Sequence, residues 1–322
     1  MSLLRWKKKY SAVSLFATFL LSFDLVAEPY AFITNQLDNS VSVIETQNNK
    51  VIKTIPVVGK PAGVAVNNNK SQVYISTPEG GGFVVLDTKN LQQTNVVKVG
   101  GASLGIAVDA KGERIFVADW YENTVSVFDS HKFQLIKMIE VGQSPSGMTV
   151  SKDNQWLYVA NRMDNSVSQI DLATLKIKNT TKVGAHPFGL SVNSNGTHIY
   201  TANVESNDVT VLQSNGLKRL ATVKVGDRPY ATALALNDSL LFVTNQDDST
   251  ISVVDTKTLK IVSVIEVGEK PEGISTDVDD QHVYVANWFD STVSVIDAKT
   301  LKVVDTIKTG EGSRAFGLFI SE

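Results

Sequence analysis

Short apolar runs broken by polar turns fill almost the whole chain, with strand rather than helical spacing. Val125-Ser126-Val127-Phe128 and Val293-Ser294-Val295-Ile296 are alternating or β-branched runs bounded by Asp, Asn, Ser and Gly, the pattern of buried strands. One tetrapeptide recurs with small changes. It reads Phe32-Ile33-Thr34-Asn35, Tyr74-Ile75-Ser76-Thr77, Phe116-Val117-Ala118-Asp119 and Tyr158-Val159-Ala160-Asn161 in the first half of the chain. It continues as Tyr200-Thr201-Ala202-Asn203, Phe242-Val243-Thr244-Asn245 and Tyr284-Val285-Ala286-Asn287. The last position falls at 35, 77, 119, 161, 203, 245 and 287, a constant step of 42.

A second motif, Gly-x-x-Pro-x-Gly, keeps the same step: Gly100, Gly142, Gly184, Gly226, Gly268 and Gly310 are 42 apart, with Pro61, Pro145, Pro187, Pro229 and Pro271 in register. Four strand-like runs fit in each repeat, and residues 28–322 hold seven repeats without an insertion. This predicts an all-β, seven-bladed β-propeller with four-stranded antiparallel blades of 42 residues. The chain joins the ring at Tyr30 on a second strand, so the first blade lacks its innermost one. Phe316-Gly317-Leu318-Phe319-Ile320, in register with Ile106-Ala107-Val108, is predicted to supply it and to close the ring without an open edge.

On these motifs the chain resembles the YVTN-repeat family of bacterial periplasmic β-propellers over essentially all of residues 28–322. The resemblance implies the fold and a periplasmic setting. It implies little about activity, because one fold hosts many roles.

Strand parity sorts the loops. In an antiparallel blade, the turn between the second and third strands shares a face, here the top, with the connection into the next blade. Repeated polar residues in these loops read as structural: Asn and Asp bond their own turns, and Gly and Pro set the backbone. Asp87, Asp129, Asp171, Asp255 and Asp297 end third strands and read as turn caps on the opposite, bottom face.

Composition adds a leader. Arg5 and Lys7 to Lys9 precede an uncharged, mostly apolar stretch from Ser11 to Phe23, and Ala27 offers a small residue for cleavage. Residues 1–27 read as a secretory signal peptide, too short to span a bilayer, and residues 28–322 as the propeller. No later segment reads as a membrane anchor. Removing residues 1–27 takes four basic residues and one acidic residue from the 30 and 33 of the whole chain, leaving a net charge of −6. That balance does not support general nucleic-acid binding. There is no cysteine, which excludes disulfides, lipoprotein anchoring, thiolate metal sites and covalent c-type haem.

Function is expected where equivalent positions differ. After the Asn position the top turns carry Gln36, Pro78, Trp120, Arg162, Val204, Gln246 and Trp288, followed by Leu37, Glu79, Tyr121, Met163, Glu205, Asp247 and Phe289. Two turns thus display adjacent aromatics. In the interblade loops, His186, Arg228, Lys270, Arg314 and Lys60 come from five successive blades, with Phe188 and Tyr230 beside them. Aromatic faces next to cations suit stacking and anion contact. The candidate binding residues are therefore Trp120, Tyr121, Phe188, Arg228, Tyr230, Lys270, Trp288, Phe289, Arg314 and Lys60. Asp227, Glu269, Glu272 and Glu311 lie in the same loops and offset the positive field.

No catalytic motif is found. The chain has neither a Gly-x-Ser-x-Gly elbow nor a phosphate loop, and its histidines form no metal pattern. The sequence therefore predicts no cofactor, no metal and no catalytic residues, and favours a periplasmic binding or scaffold module with an unknown macromolecule or extended ligand on its top face. Two alternatives stay open: an enzyme or redox-system subunit with a small ligand at the channel mouth near His186 and Arg228, and single-stranded nucleic-acid binding.

Overall fold

The computed structural model describes residues 29–321; the signal-peptide reading of residues 1–27 lies outside them. Six four-stranded antiparallel units follow one another over residues 63–98, 103–140, 145–182, 187–224, 229–266 and 271–308, as blades 2 to 7. Tyr30–Asn35, Ser40–Glu45 and Lys50–Pro56 form the three outer strands of blade 1. Within each blade the first two or three strands are buried and the outermost is largely exposed. Apolar clusters fill the spaces between neighbouring blades; in one, Phe116 and Val125 of blade 3 pack with Leu157 and Ile170 of blade 4. No helix among the described residues is long and apolar enough to cross a membrane.

The C-terminal segment closes blade 1 with an offset that the repeat does not foretell. Ser313 pairs with Asn35, as the repeat requires, but Ile320 rather than Leu318 pairs with Ala31. The two extra residues are taken up where Ala315 and Gly317 adopt positive φ (41° and 109°), a conformation that favours glycine. The displaced middle, Phe316–Leu318, pairs in parallel with Gly63–Ala65 of blade 2. The closing strand is thus stitched to both blades that flank the seam.

The repeated polar residues are structural. Asn161 Nδ2 donates to the hydroxyls of Ser166 and Ser168, and Asn35, Asn245 and Asn287 repeat the arrangement in their own blades. On the bottom face the carboxylates of Asp129, Asp171, Asp255 and Asp297 each accept the backbone N–H three residues on, at 2.7–2.8 Å.

Those backbone hydrogen bonds hold the four carboxyls below the usual Asp value of 3.8. A depressed folded value means stability that is present above pH 3.8 and is withdrawn as pH falls through the folded value. Replacing all four by Asn is therefore expected to flatten the acid limb of a melting-temperature profile between pH 7 and 3. An acid limb as steep as that of the wild type would contradict this assignment.

Candidate functional site

The top mouth of the channel is built by the residue after each interblade Pro position. The inner strands of blades 4 to 7 each skip two residues between that Pro and its next paired position, and the bulge turns the intervening side chain inward. Ala62, Phe188, Tyr230 and Phe316 meet there as a buried apolar plug, with Leu104 and Trp120 packed against it. The Phe188 and Tyr230 rings lie 4.0 Å apart, and Phe188 meets Phe316 edge-on at 5.4 Å.

Polar groups cross the same plug. Arg314 Nε lies 2.7 Å from Glu272 Oε2, with side chains 17% and 6% exposed. A second guanidinium nitrogen donates to the Tyr230 hydroxyl at 2.7 Å, and Gln246 Nε2 donates to Glu272 Oε1 at 2.7 Å. Burial pushes the Tyr230 hydroxyl up to about 12. Burial disfavours the Arg314 charge, but Glu272 more than offsets this and the guanidinium titrates above its ordinary value. Arg314 is therefore a fixed cation, its charge matched inside the ring.

Around the mouth runs a rail of alternating charge. Glu205 accepts from Arg228 at 2.7 Å and lies 3.8 Å from His186 Nδ1. Asp247 accepts from Lys270 at 2.7 Å and lies 3.7 Å from Arg228 Nε. Lys60 Nζ donates to the Leu37 carbonyl at 3.5 Å. The backbones of Lys60, His186, Arg228 and Lys270 are left-handed (φ 53–57°), and a side chain of the preceding turn, Asn39, Asn165 or Asn207, accepts the N–H of the first three.

The sequence candidates thus divide into three groups. Phe188, Tyr230 and Arg314 are interior parts of the plug, not surface contacts. Arg228, Lys270 and Lys60 lie half-buried on the rim, the first two paired by Glu205 and Asp247 rather than by the neighbouring Asp227 and Glu269. Trp120 and Trp288 are half-buried, and Trp288 Nε1 donates to Gln36 at 3.3 Å. Tyr121 and Phe289 stand in solvent, 74% and 65% exposed, with Met163 and Leu37 exposed on the adjacent blades 4 and 1.

Sequence reasoning passed over Arg162. Its guanidinium carbon lies 5.7 Å from the centroid of Trp120 and 5.8 Å from that of Phe188. Burial pushes this group below its ordinary value. Among the described residues no carboxylate lies within ion-pair distance of it. The available signal was its standing as the lone basic residue in the ring of Gln36, Pro78, Trp120, Arg162, Val204, Gln246 and Trp288.

Two concavities lie away from the mouth: about 410 Å³ between blades 6 and 7, lined by Glu266, Asp290 and Thr306, and about 600 Å³ on the bottom face, lined by Arg114, Trp156 and Leu172. No group of three His, Asp or Glu able to hold a metal occurs among the described residues.

A family model described as a seven-bladed β-propeller lactonase matches residues 131–217, and one described as a cytochrome D1 heme domain matches residues 28–151. The repeat, the blade count and these matches are consistent with a propeller of the YVTN type. No curated protein matches the chain.

Among solved structures, the propeller is similar to hydrazine synthase from Kuenenia stuttgartiensis (20% identity, TM-score 0.76), covering 83% of this chain and 91% of that one. It is also similar to a functionally unknown protein from Desulfotomaculum acetoxidans (13% identity, TM-score 0.77; 89% and 99% covered). A third similar structure is the dihydro-heme d1 dehydrogenase NirN in complex with DHE (15% identity, TM-score 0.69), where the match covers 88% of this chain and 64% of that one. At these identities the likeness speaks for the fold.

Proposed function

We propose that this chain is an extracytoplasmic propeller that binds a macromolecular partner or extended ligand through its top face, as a binding or scaffold module. The observation that carries the reading is two pairs of exposed apolar side chains on the top face. Tyr121 and Met163 lie on blades 3 and 4, and Phe289 and Leu37 on blades 7 and 1, nearly opposite. Aromatics held this far into solvent are the usual anchors of an interface, and only a large partner reaches both pairs.

The test is affinity capture from the native extracytoplasmic extract, comparing wild type with a Tyr121→Ser, Phe289→Ser double variant. Both side chains are exposed, so the melting temperature should not move. The reading expects a species retained by wild type and lost by the variant; identical captures would contradict it.

A second reading, a ligand-binding subunit of a redox system, draws on the partial match to a cytochrome D1 heme domain and the likeness to dihydro-heme d1 dehydrogenase. A haem does not fit the mouth of this propeller. Phe188, Tyr230 and Phe316 fill it in ring-to-ring contact, and Arg314 and Glu272 are paired across it. This reading is kept for a small ligand above the plug. Single-stranded nucleic acid is disfavoured because Arg228, Lys270 and Arg314 each meet a carboxylate. Salt-dependent quenching of tryptophan fluorescence by an oligonucleotide would reverse that judgement.

A further inference from the structure

The charges gathered at the mouth do not quite balance. Arg228, Lys270 and Arg314 are matched by Glu205, Asp247 and Glu272. Arg162 lies within electrostatic reach of Arg228, Arg314 and Glu205 but holds no ion pair or hydrogen bond through its guanidinium among the described residues. It is a half-buried cation laid against the Trp120 and Phe188 rings. A guanidinium held over ring faces without a carboxylate partner keeps N–H groups available to receive two oxygens side by side. A structural arginine in such a place would be expected to have a carboxylate partner, as Arg114 has in Asp109 at 2.8 Å and Arg314 in Glu272.

We infer that Arg162 is the anchor of a carboxylate-binding site on the top face, above the plug, taking the carboxylate of a free organic acid or of a partner chain. Lys60 on the rim meets a carbonyl rather than a carboxylate; among the charges around the plug itself, Arg162, Arg228, Lys270 and Arg314 against Glu205, Asp247 and Glu272, the excess is one positive charge. A monoanion neutralises it, whereas a dianion such as phosphate meets Glu205 and Asp247 with its second charge uncompensated. The inference rests on the top-face reading and names the chemistry that this face would recognise.

The test uses the mature protein and three small probes: benzoate, neutral benzamide of nearly the same shape, and inorganic phosphate. Calorimetry and tryptophan fluorescence, in which Trp120 under the guanidinium is the reporter, should show benzoate bound at least about tenfold more tightly than benzamide or phosphate, the value of one charge-assisted bidentate contact. Arg162→Gln should abolish the difference between benzoate and benzamide, and Arg162→Lys should keep part of it.

Neither variant should lower the melting temperature by more than the few degrees that the contacts with Trp120 and Phe188 are worth, because no ion pair is broken; a larger loss of stability would mark Arg162 as structural and overturn the inference. Equal affinity for benzoate and benzamide would overturn it, as would tighter binding of phosphate. If benzoate binds, comparing a short peptide bearing a free C-terminal carboxylate with its amide separates the two sources. Failure here with a positive Tyr121/Phe289 capture would remove the carboxylate site and leave the top-face reading standing.

Discussion

Removal of residues 315–322 is expected to abolish the cooperative melt of the ring. This segment buries Phe316, Phe319 and Ile320, and full burial of such side chains is worth about 1.5–3 kcal/mol each. Three of them amount to roughly 5–9 kcal/mol, comparable with the whole stability of an ordinary domain, about 5–15 kcal/mol. The truncation also removes the inner-side partners of Tyr30, Ala31 and Phe32. Phe32 N–H donates to the Phe319 carbonyl at 2.9 Å, and Ser321 N–H donates to the Tyr30 carbonyl at 2.9 Å. Blade 1 would lose its inner strand and blade 2 its parallel neighbour. Leu318→Ala is the internal control: that side chain is 69% exposed, so melting should not change. A truncated chain that melts with wild-type cooperativity would refute the seam.

The second large effect is expected at the ion pair inside the plug. Glu272→Gln or Arg314→Met leaves the other member charged, mostly buried and without its counter-ion. Breaking a buried pair from one side costs about 3–5 kcal/mol. At about 2 °C per kcal/mol for a domain of this size, the melting temperature falls by roughly 6–10 °C. The Glu272→Met, Arg314→Met double variant should cost less than the sum of the two singles, because neither charge is then stranded. Strictly additive losses would mean that the two groups are screened from each other by solvent and that the plug is open.

The 42-residue repeat makes most of this fold legible in the sequence. A step of 42 sets blade count, strand order and the face on which each loop lies, and the Asn and Asp turns behave as their chemistry dictates. The seam register was less legible, because the closing strand has no following repeat to check it against. The two extra residues absorbed at Ala315 and Gly317 appear only as a glycine and an alanine in an otherwise ordinary apolar run.

The site was half legible. Parity put the turns and the interblade loops on one face, as observed, but could not separate inward from outward side chains. Phe188, Tyr230 and Arg314 follow the interblade Pro position and read as loop residues, yet inner-strand bulges turn Phe188 and Tyr230 into the channel, and Arg314 joins them through Tyr230 and Glu272. The charge rail had a signal that went unused. Lys60 to Leu37, Arg228 to Glu205 and Lys270 to Asp247 all span 23 residues, so each position before the interblade Pro faces one fixed position in the previous turn. Applied to the sequence, that offset pairs two of the basic residues with acids and leaves Arg162 outside the scheme.

We have proposed that the top face of the plugged ring is the working surface. Site-specific photo-cross-linking in cells tests this most directly, with the reactive group placed singly at Tyr121 or Phe289 on the top and at His131 or Lys257, which are exposed on the bottom turns. Discrete cross-linked species are expected from the two top positions and none from the two bottom ones. Cross-links from His131 or Lys257 with none from Tyr121 and Phe289 would contradict it.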